Sequence, residues 1–125
     1  MRRALDLTKV HVRTREVFGQ PLGAMQHVRF ELAEMHTSLQ AAQAYLDHAI
    51  TLYLERKLTA ESAAGLKQWT TDRQCEAIDR CLQLHGGYGY MNEYEIAACG
   101  ATPGCRASTA ELMRSCTRSS VARWT

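Results

Sequence analysis

The chain has 125 residues, of which 46% are hydrophobic and 22% charged, with a formal net charge of +2 at pH 7. These values are typical of a single globular domain that can bury a core without disulfide staples. The net charge is weak, and basic and acidic residues are interleaved. The sequence has no apolar run of membrane length and no signal-peptide core. We therefore predict a cytoplasmic protein with no nucleic-acid or membrane partner.

The first predicted element is a helix from Met1 to Val17, with Leu5, Val10 and Val17 on its buried side. It begins without a capping residue, which indicates a domain cut from a longer chain. The segment Phe18–Gly23 is predicted to be a turn, because two glycines and a proline fall within it.

The second predicted helix runs from Met25 to about Leu58, and its apolar residues, spaced by threes and fours, form one stripe. The stripe consists of Val28, Leu32, Met35, Leu39, Ala42, Leu46, Ile50 and Leu54. A third helix is predicted from Ser62 to Leu84. Its apolar face consists of Leu66, Trp69, Ala77, Ile78, Cys81 and Leu82.

The segment His85–Gly89 ends the third helix, since glycine tolerates the left-handed conformation of a helix terminus. A fourth helix is predicted to begin near Asn92 or Glu93. Helices joined by such short turns, without alternating strand periodicity, predict an all-α fold, an antiparallel up-and-down helical bundle.

Most kinds of catalytic or metal site find no support in the sequence. There is no Glu-x-x-His pair, the histidines are far apart, and the cysteines are odd in number without a C-x-x-C pair, so we predict no metal site and no disulfide framework. There is no G-x-S-x-G elbow. The glycines Gly86, Gly87 and Gly89 either end a helix or form a phosphate-binding loop, although they follow a helix rather than a strand.

Arg13 and Arg15 lie at the end of the first helix, before Phe18 and a tight turn. A guanidinium in this position is suited to bidentate capture of a phosphate group. The same residues also suit an ordinary last helical turn, where arginine complements the helix dipole. Composition leaves both interpretations open.

Three segments resemble, in order and in separation, the C-terminal helical domain of acyl-CoA dehydrogenases. They are RTREVFGQPLGAMQ (Arg13–Gln26), ELAEM (Glu31–Met35) and LQLHGGYGYMNEYEIA (Leu82–Ala97). The resemblance implies that residues 1–97 form a four-helix bundle that builds an oligomer and closes over FAD, followed by a divergent tail at 98–125.

The resemblance also implies the cofactor-binding residues. Arg15 matches an arginine that contacts the FAD pyrophosphate of a neighbouring subunit, Phe18 matches the aromatic residue beside it, and Gln26 matches a glutamine near the adenosine. A further segment matches residues lying along the same cofactor. It consists of Gln83, Leu84, His85, Gly86 and Gly87.

The reaction implied is α,β-dehydrogenation of an acyl-CoA, in which a glutamate takes the α-proton and flavin N5 takes the β-hydride. In the family that glutamate lies either upstream of this domain or after the fourth helix, and neither position is matched here, so we assign no catalytic residue. We expect the isolated chain to be inactive and to act in a homo-oligomer or hetero-oligomer with acyl-CoA dehydrogenase subunits, the complete enzyme binding acyl-CoA. The alternatives are a non-catalytic module that pairs with another dehydrogenase subunit and lends it Arg15, or a vestigial product.

The tail Ala98–Thr125 departs from the family, which continues with an arginine–aspartate pair and an I-Y-x-G-T-x-E-I stretch. We favour a shift of reading frame near Ala97 or Ala98. With suitable codons, reading Ala98–Ser115 from the third base of each codon spells VRRDAGVPRIYGGTNEI, which restores both motifs.

The alternative is a genuine but divergent C-terminus, in which Gly100, Pro103 and Gly104 form a loop before a short helix around Ser108–Ser115. A scrambled fourth helix would also leave part of the Leu32–Leu46 stripe uncovered, which favours self-association.

Overall fold

The computed structural model describes residues 1–100, in which every element longer than two residues is helical. The elements are helix α1 (Arg2–Thr14), strands β1 (Glu16–Val17) and β2 (Gln20–Pro21), a 3-10 turn (Leu22–Ala24), helices α2 (Gln26–Leu54) and α3 (Ala60–His85), a second 3-10 turn (Gly86–Tyr90), and helix α4 (Glu95–Gly100). The predicted all-α fold is confirmed for this range.

No helix in residues 1–100 combines the length and the apolar character needed to cross a membrane.

Helix α1 ends three residues before the predicted Val17, because the backbone turns into an antiparallel hairpin. Arg15 has extended backbone angles, and Glu16 and Val17 pair with Pro21 and Gln20. The two residues of the turn, Phe18 and Gly19, both have positive φ, at 53° and 78°, which is the conformation that matches the twist of a two-residue hairpin. The predicted turn is confirmed, but strands of two residues are too short for an alternating pattern to reveal.

Helix α3 begins two residues before the predicted Ser62, where the Thr59 side chain accepts a hydrogen bond from the Ser62 backbone N–H at 3.2 Å. This is the N-cap contact that starts many helices. At the other end, Gly86 takes over from the helix with φ 59°. The predicted glycine stop is therefore confirmed.

Helix α4 begins at Glu95 rather than at Asn92 or Glu93, and Arg3 ties it to α1. The Arg3 guanidinium donates to the Glu95 carboxylate, with Nε 2.7 Å from Oε1, and this bond holds the pKa of Glu95 below its usual value. Gly100, assigned to a loop in the divergent-tail interpretation, is the last residue of α4. The frameshift hypothesis starts near Ala97 or Ala98, and all of the predicted tail beyond Gly100 lies outside the described range.

All four helices contribute to the core. Its buried members are Ala4, Leu5, Met35, Ala77, Ile78, Cys81 and Ile96. Burial raises the pKa of the Cys81 thiol, so Cys81 is the small neutral core residue that its position predicts, whereas Cys75 is only half-buried.

The prediction of which side of α1 is buried is correct for Leu5 and wrong for Val10, which is 60% exposed. Thr8 and Val12 are buried instead. They follow Leu5 by three and seven positions and so share its face, whereas a shift of five positions turns Val10 well away from that face.

The predicted stripe on α2 is buried at Val28 and Met35 but exposed along its C-terminal half. Leu46 is 42% exposed, Ile50 47% and Leu54 76%. The prediction that part of the stripe remains uncovered is confirmed at Leu46, and self-association remains a prediction. On α3, Trp69 of the predicted apolar face is 37% exposed and meets the ring of Tyr45 edge-on.

Candidate functional site

The C-terminal ends of α1 and α3 meet in a group of rings and one cation, which we call the His–Tyr cluster. It consists of His11, Arg15, His85, Tyr88 and Tyr94. The rings of His11 and His85 stack with centroids 4.2 Å apart and planes 24° apart. Tyr88 meets His11 edge-on at 6.2 Å and Tyr94 at 5.2 Å. The cluster is the point at which the two predicted site segments come together.

His85 anchors the cluster to the core, because its side chain is buried and its Nδ1 lies 2.8 Å from the backbone carbonyl oxygen of Cys81. A carbonyl oxygen only accepts hydrogen bonds, so Nδ1 carries the proton that makes this bond. In the neutral ring Nε2 is then the unprotonated nitrogen. This bond and the stack on His11 together fix the orientation of the His85 ring.

Arg15 projects a positive charge from a well-held piece of backbone. Its N–H donates to the carbonyl of His11 at 2.8 Å, and its own carbonyl accepts from the N–H of Leu22 at 2.7 Å. The side chain is exposed, and its Cζ lies over the ring of Tyr88, 5.5 Å from the centroid. A cation within about 6 Å of a ring centroid is attracted by the negative face of the ring.

Phe18 lies within the connection between α1 and α2, and Gln26 lies at its end. Phe18 is at the tip of the hairpin and is 93% exposed, and Gln26 is the exposed first residue of α2. A positive φ at a bulky residue is strained, by roughly 1–2 kcal/mol. An almost fully exposed aromatic ring held in this conformation points outward from the domain rather than into its core.

The segment at the end of α3 has one buried side and one open side. Gln83 is exposed, Leu84 packs against the core, and His85 is buried. A side chain added at Gly86 or Gly87 would meet no heavy atom within 4 Å. The backbone of these two glycines is therefore open to close approach from outside.

Gly89, which was grouped with these glycines on sequence grounds, has a different role. A Cβ at Gly89 would lie 2.8 Å from the carbonyl oxygen of Leu82, closer than such atoms can approach. Gly89 therefore lets the 3-10 turn pack directly against the last turns of α3, and this contact sets the position of the neighbouring Tyr88.

Two members of the cluster, His11 and Tyr88, were not predicted from the sequence as site residues. His11 was set aside because the histidines are far apart in sequence, yet the fold stacks it on His85, 74 positions away. One local signal was available, since His11 and Arg15 are four residues apart in the helix predicted for Met1–Val17, and four-residue neighbours share a helix face. Tyr88 lay inside the quoted glycine segment, but its contact with Arg15 depends on how α1 and α3 pack.

Within residues 1–100, no group of three or more His, Cys, Asp or Glu side chains is arranged to hold a metal ion.

His11 should make the stability of the fold depend on pH. Burial lowers the pKa of His11 below its ordinary value of 6.5, and the nearby His85 and Arg15 lower it further. At pH values between 6.5 and the lower pKa of His11 in the folded chain, the unfolded chain binds more protons than the folded chain. A fall in pH through this range therefore favours unfolding. The stability that depends on a neutral His11 is present in full above about pH 6.5 and is lost as the pH falls through the pKa of His11 in the folded chain.

Urea denaturation at about pH 7.5 and about pH 5.5 would measure this dependence. His11→Phe should show a smaller drop in unfolding free energy between the two pH values than the wild type. The control is His48→Gln, at an exposed position of α2, which should leave the drop unchanged. A His11→Phe variant with the full wild-type drop would contradict the assignment.

A protein-family model described as "Acyl-CoA dehydrogenase, C-terminal domain" matches residues 1–101. The long-chain specific acyl-CoA dehydrogenase of Rattus norvegicus mitochondria is 38% identical over 90 residues, which cover 72% of this chain and 21% of that protein. The chain thus spans about a fifth of the length of this curated relative.

Solved structures give the same picture. An acyl-CoA dehydrogenase from Geobacillus kaustophilus superposes with a TM-score of 0.82 at 31% identity, covering 92% of this chain and 31% of that one. Butyryl-CoA dehydrogenase from Megasphaera elsdenii superposes with a TM-score of 0.76 at 30% identity, covering 79% of this chain and 26% of that one. The chain is therefore similar to between a quarter and a third of each of these longer chains.

Proposed function

The chain belongs to the acyl-CoA dehydrogenase family, in which it corresponds to the C-terminal domain, and from this membership we propose that it forms one wall of an FAD site. In this proposal the wall consists of Arg15, the hairpin tip and the open segment at the end of α3. Bound FAD supplies the hydride acceptor for dehydrogenation of an acyl-CoA. The role of this chain is to bind and orient the cofactor.

The observation that carries the proposal is the placement of Arg15. Its guanidinium is exposed, is held over Tyr88 at 5.5 Å, and belongs to the same cluster as the end of α3, where Gly86 and Gly87 leave the backbone open. A diphosphate matches the paired N–H groups of a guanidinium, and glycines without side chains allow a ligand to approach the backbone. These residues therefore fit FAD.

The remaining cofactor residues are assigned on the family resemblance and are consistent with this geometry. Phe18 lies at the exposed tip of the hairpin that follows Arg15, and Gln26 lies at the start of α2. Gln83 and Leu84 precede the open glycines. No catalytic base is assigned to the chain, so we propose that it is inactive alone and contributes to an enzyme whose other domains bind the acyl-CoA.

The proposal also specifies a partner. Arg15 matches an arginine that reaches the cofactor of a neighbouring subunit, so the chain acts within an oligomer of acyl-CoA dehydrogenase subunits. The exposed apolar side chains of α2 favour a second proposal for the partner. In it the chain is a non-catalytic module that docks on another dehydrogenase subunit. Leu46, Ile50, Tyr53 and Leu54 are each at least 42% exposed and are available for such docking.

Flavin retention after co-expression with a full-length acyl-CoA dehydrogenase tests the proposal. The purified complex should retain FAD at the interface, and Arg15→Gln should weaken its retention roughly tenfold or more, because hydrogen bonds to charged groups contribute about 1.5–3 kcal/mol. Arg13→Gln is the matched control, since Arg13 is an exposed arginine in the last turn of the same helix. It should retain FAD as the wild type does.

Three outcomes would count against the proposal. If no complex forms, the proposed partner is wrong. If the complex forms and the partner's flavin content is indifferent to Arg15→Gln, Arg15 does not contact the cofactor. Equal losses in the Arg13 and Arg15 variants would indicate a general effect of positive charge rather than a specific contact.

A further inference from the structure

The Arg15 side chain is long, exposed and rotatable, so its position depends on what lies beneath it. Fixing such a side chain costs rotamer entropy, and a ligand binds more tightly when that freedom has already been lost. In the structure this guanidinium lies over the face of Tyr88, with Cζ 5.5 Å from the ring centroid. A guanidinium has five N–H donors, so contact with one ring leaves donors for a ligand.

Tyr88 is itself held from several sides. Tyr94 lies 5.2 Å away by ring centroids and His11 meets the ring edge-on at 6.2 Å. On its C-terminal side, Gly89 packs so closely on Leu82 that its Cβ would stand 2.8 Å from the Leu82 carbonyl oxygen. The Tyr88 ring therefore has a fixed place on the surface.

His11 connects this ring to the interior. It stacks on the buried His85 at 4.2 Å, and His85 is hydrogen-bonded to the carbonyl of Cys81. His11 also accepts, through its backbone carbonyl, the hydrogen bond that ends α1 at Arg15. A continuous series of contacts thus runs from the core of the bundle to the guanidinium.

We propose that Tyr88, supported by His11, is a positioning residue that sets the direction of the Arg15 guanidinium toward a diphosphate. The inference rests on the proposed function in one respect, that the ligand of Arg15 is a diphosphate. It goes beyond that function in naming the ring that orients the guanidinium. This role belongs to Tyr88 because the turn Gly86–Tyr90 places the ring of Tyr88 under Arg15, whereas Tyr90 is exposed.

Nuclear magnetic resonance of the 125-residue chain, labelled on arginine side chains, tests the geometry directly. The ring current of Tyr88 should displace the Arg15 Nε–Hε resonance from the unstructured position, and nuclear Overhauser contacts should join the two side chains. Tyr88→Leu should return the resonance to that position, whereas Tyr88→Phe should keep the displacement. Tyr90→Leu is the matched control, since Tyr90 belongs to the same 3-10 turn but is 73% exposed.

Titration with inorganic pyrophosphate tests the functional consequence. Tyr88→Leu should weaken binding about 2–5-fold, the fold-change that corresponds to an exposed cation–π contact, whereas Tyr88→Phe and Tyr90→Leu should bind as the wild type does. In an Arg15→Gln background, Tyr88→Leu should weaken binding no further, because a positioning residue acts only through the group that it positions.

The possible failures are distinguishable. If the wild type shows no contact between Tyr88 and Arg15, the positioning role is wrong, and this measurement needs no variant to fold. If Tyr88→Leu weakens binding equally with and without Arg15, Tyr88 acts by another route and the inference is overturned. The third failure is that the wild type shows the contact between Tyr88 and Arg15, but Arg15→Gln leaves the affinity for pyrophosphate unchanged. In that case the proposed diphosphate function fails instead.

Discussion

Leu5→Ala is expected to lower the free energy of unfolding by about 2–5 kcal/mol, the range observed when a large core side chain is truncated. Leu5 is 2% exposed and belongs to the cluster where the four helices of the described residues meet. Its removal leaves a cavity in that cluster, into which the surrounding structure relaxes only partly. Urea denaturation of the two proteins at the same pH measures the difference.

The matched control is Val10→Ala, on the same helix. Val10 was predicted from sequence to share the buried side of α1 with Leu5, but it is 60% exposed. Its truncation should change the free energy of unfolding by no more than about 0.5 kcal/mol. Similar losses for the two variants would mean that α1 is rotated relative to the described packing.

Gly89→Ala is expected to destabilise the fold by about 1–3 kcal/mol, as overpacking of a tight contact does. The added Cβ would lie 2.8 Å from the backbone carbonyl oxygen of Leu82. Because that oxygen belongs to the backbone of α3, it cannot yield as a flexible side chain would. The 3-10 turn must move, and Tyr88 moves with it. Thermal or urea denaturation gives the stability, and the Arg15 Nε–Hε resonance reports the displaced ring.

Gly87→Ala serves as the paired substitution, two residues away in the same turn. A Cβ at Gly87 would meet no heavy atom within 4 Å, so the free energy of unfolding should stay within about 0.5 kcal/mol of the wild type. In the complex with a dehydrogenase subunit, Gly87→Ala should still affect the cofactor. Gly87 is proposed to lie along the cofactor, so its substitution should lower flavin retention without unfolding the domain. Equal stability of the two variants would contradict the close packing assigned to Gly89.

Family membership and the activity of the chain are separate conclusions. The family rests on a match over residues 1–101 and on relatives of which this chain spans about a fifth. A wall of a cofactor site needs the rest of that site to act, so the dehydrogenase reaction, the oligomer and the FAD contact are proposals for a larger assembly. The stability predictions do not depend on them, because they concern contacts within residues 1–100.

Local signals in the sequence determined the elements and their order. The spacing of apolar residues placed α2 and α3. The glycines of the HGGYG segment predicted the end of α3 at Leu84, one residue before the observed end at His85, because residues that accept a positive φ, here Gly86, end a helix in this way. The turn after α1 was predicted from its glycines and proline. Where these predictions erred, as with Val17, the missing feature was a hairpin only two residues long on each side.

What the sequence by itself could not determine is how the helices are rotated against one another. Helical periodicity identifies an apolar face but not the element that packs on it. Val10 was therefore predicted to be buried, and the boundary between the buried and the exposed parts of the α2 stripe was not predicted. For the same reason, the stack of His11 on His85 and the placement of Arg15 over Tyr88 had no sequence signature. These contacts join residues more than seventy positions apart, and only the packing of α1 against α3 brings them together.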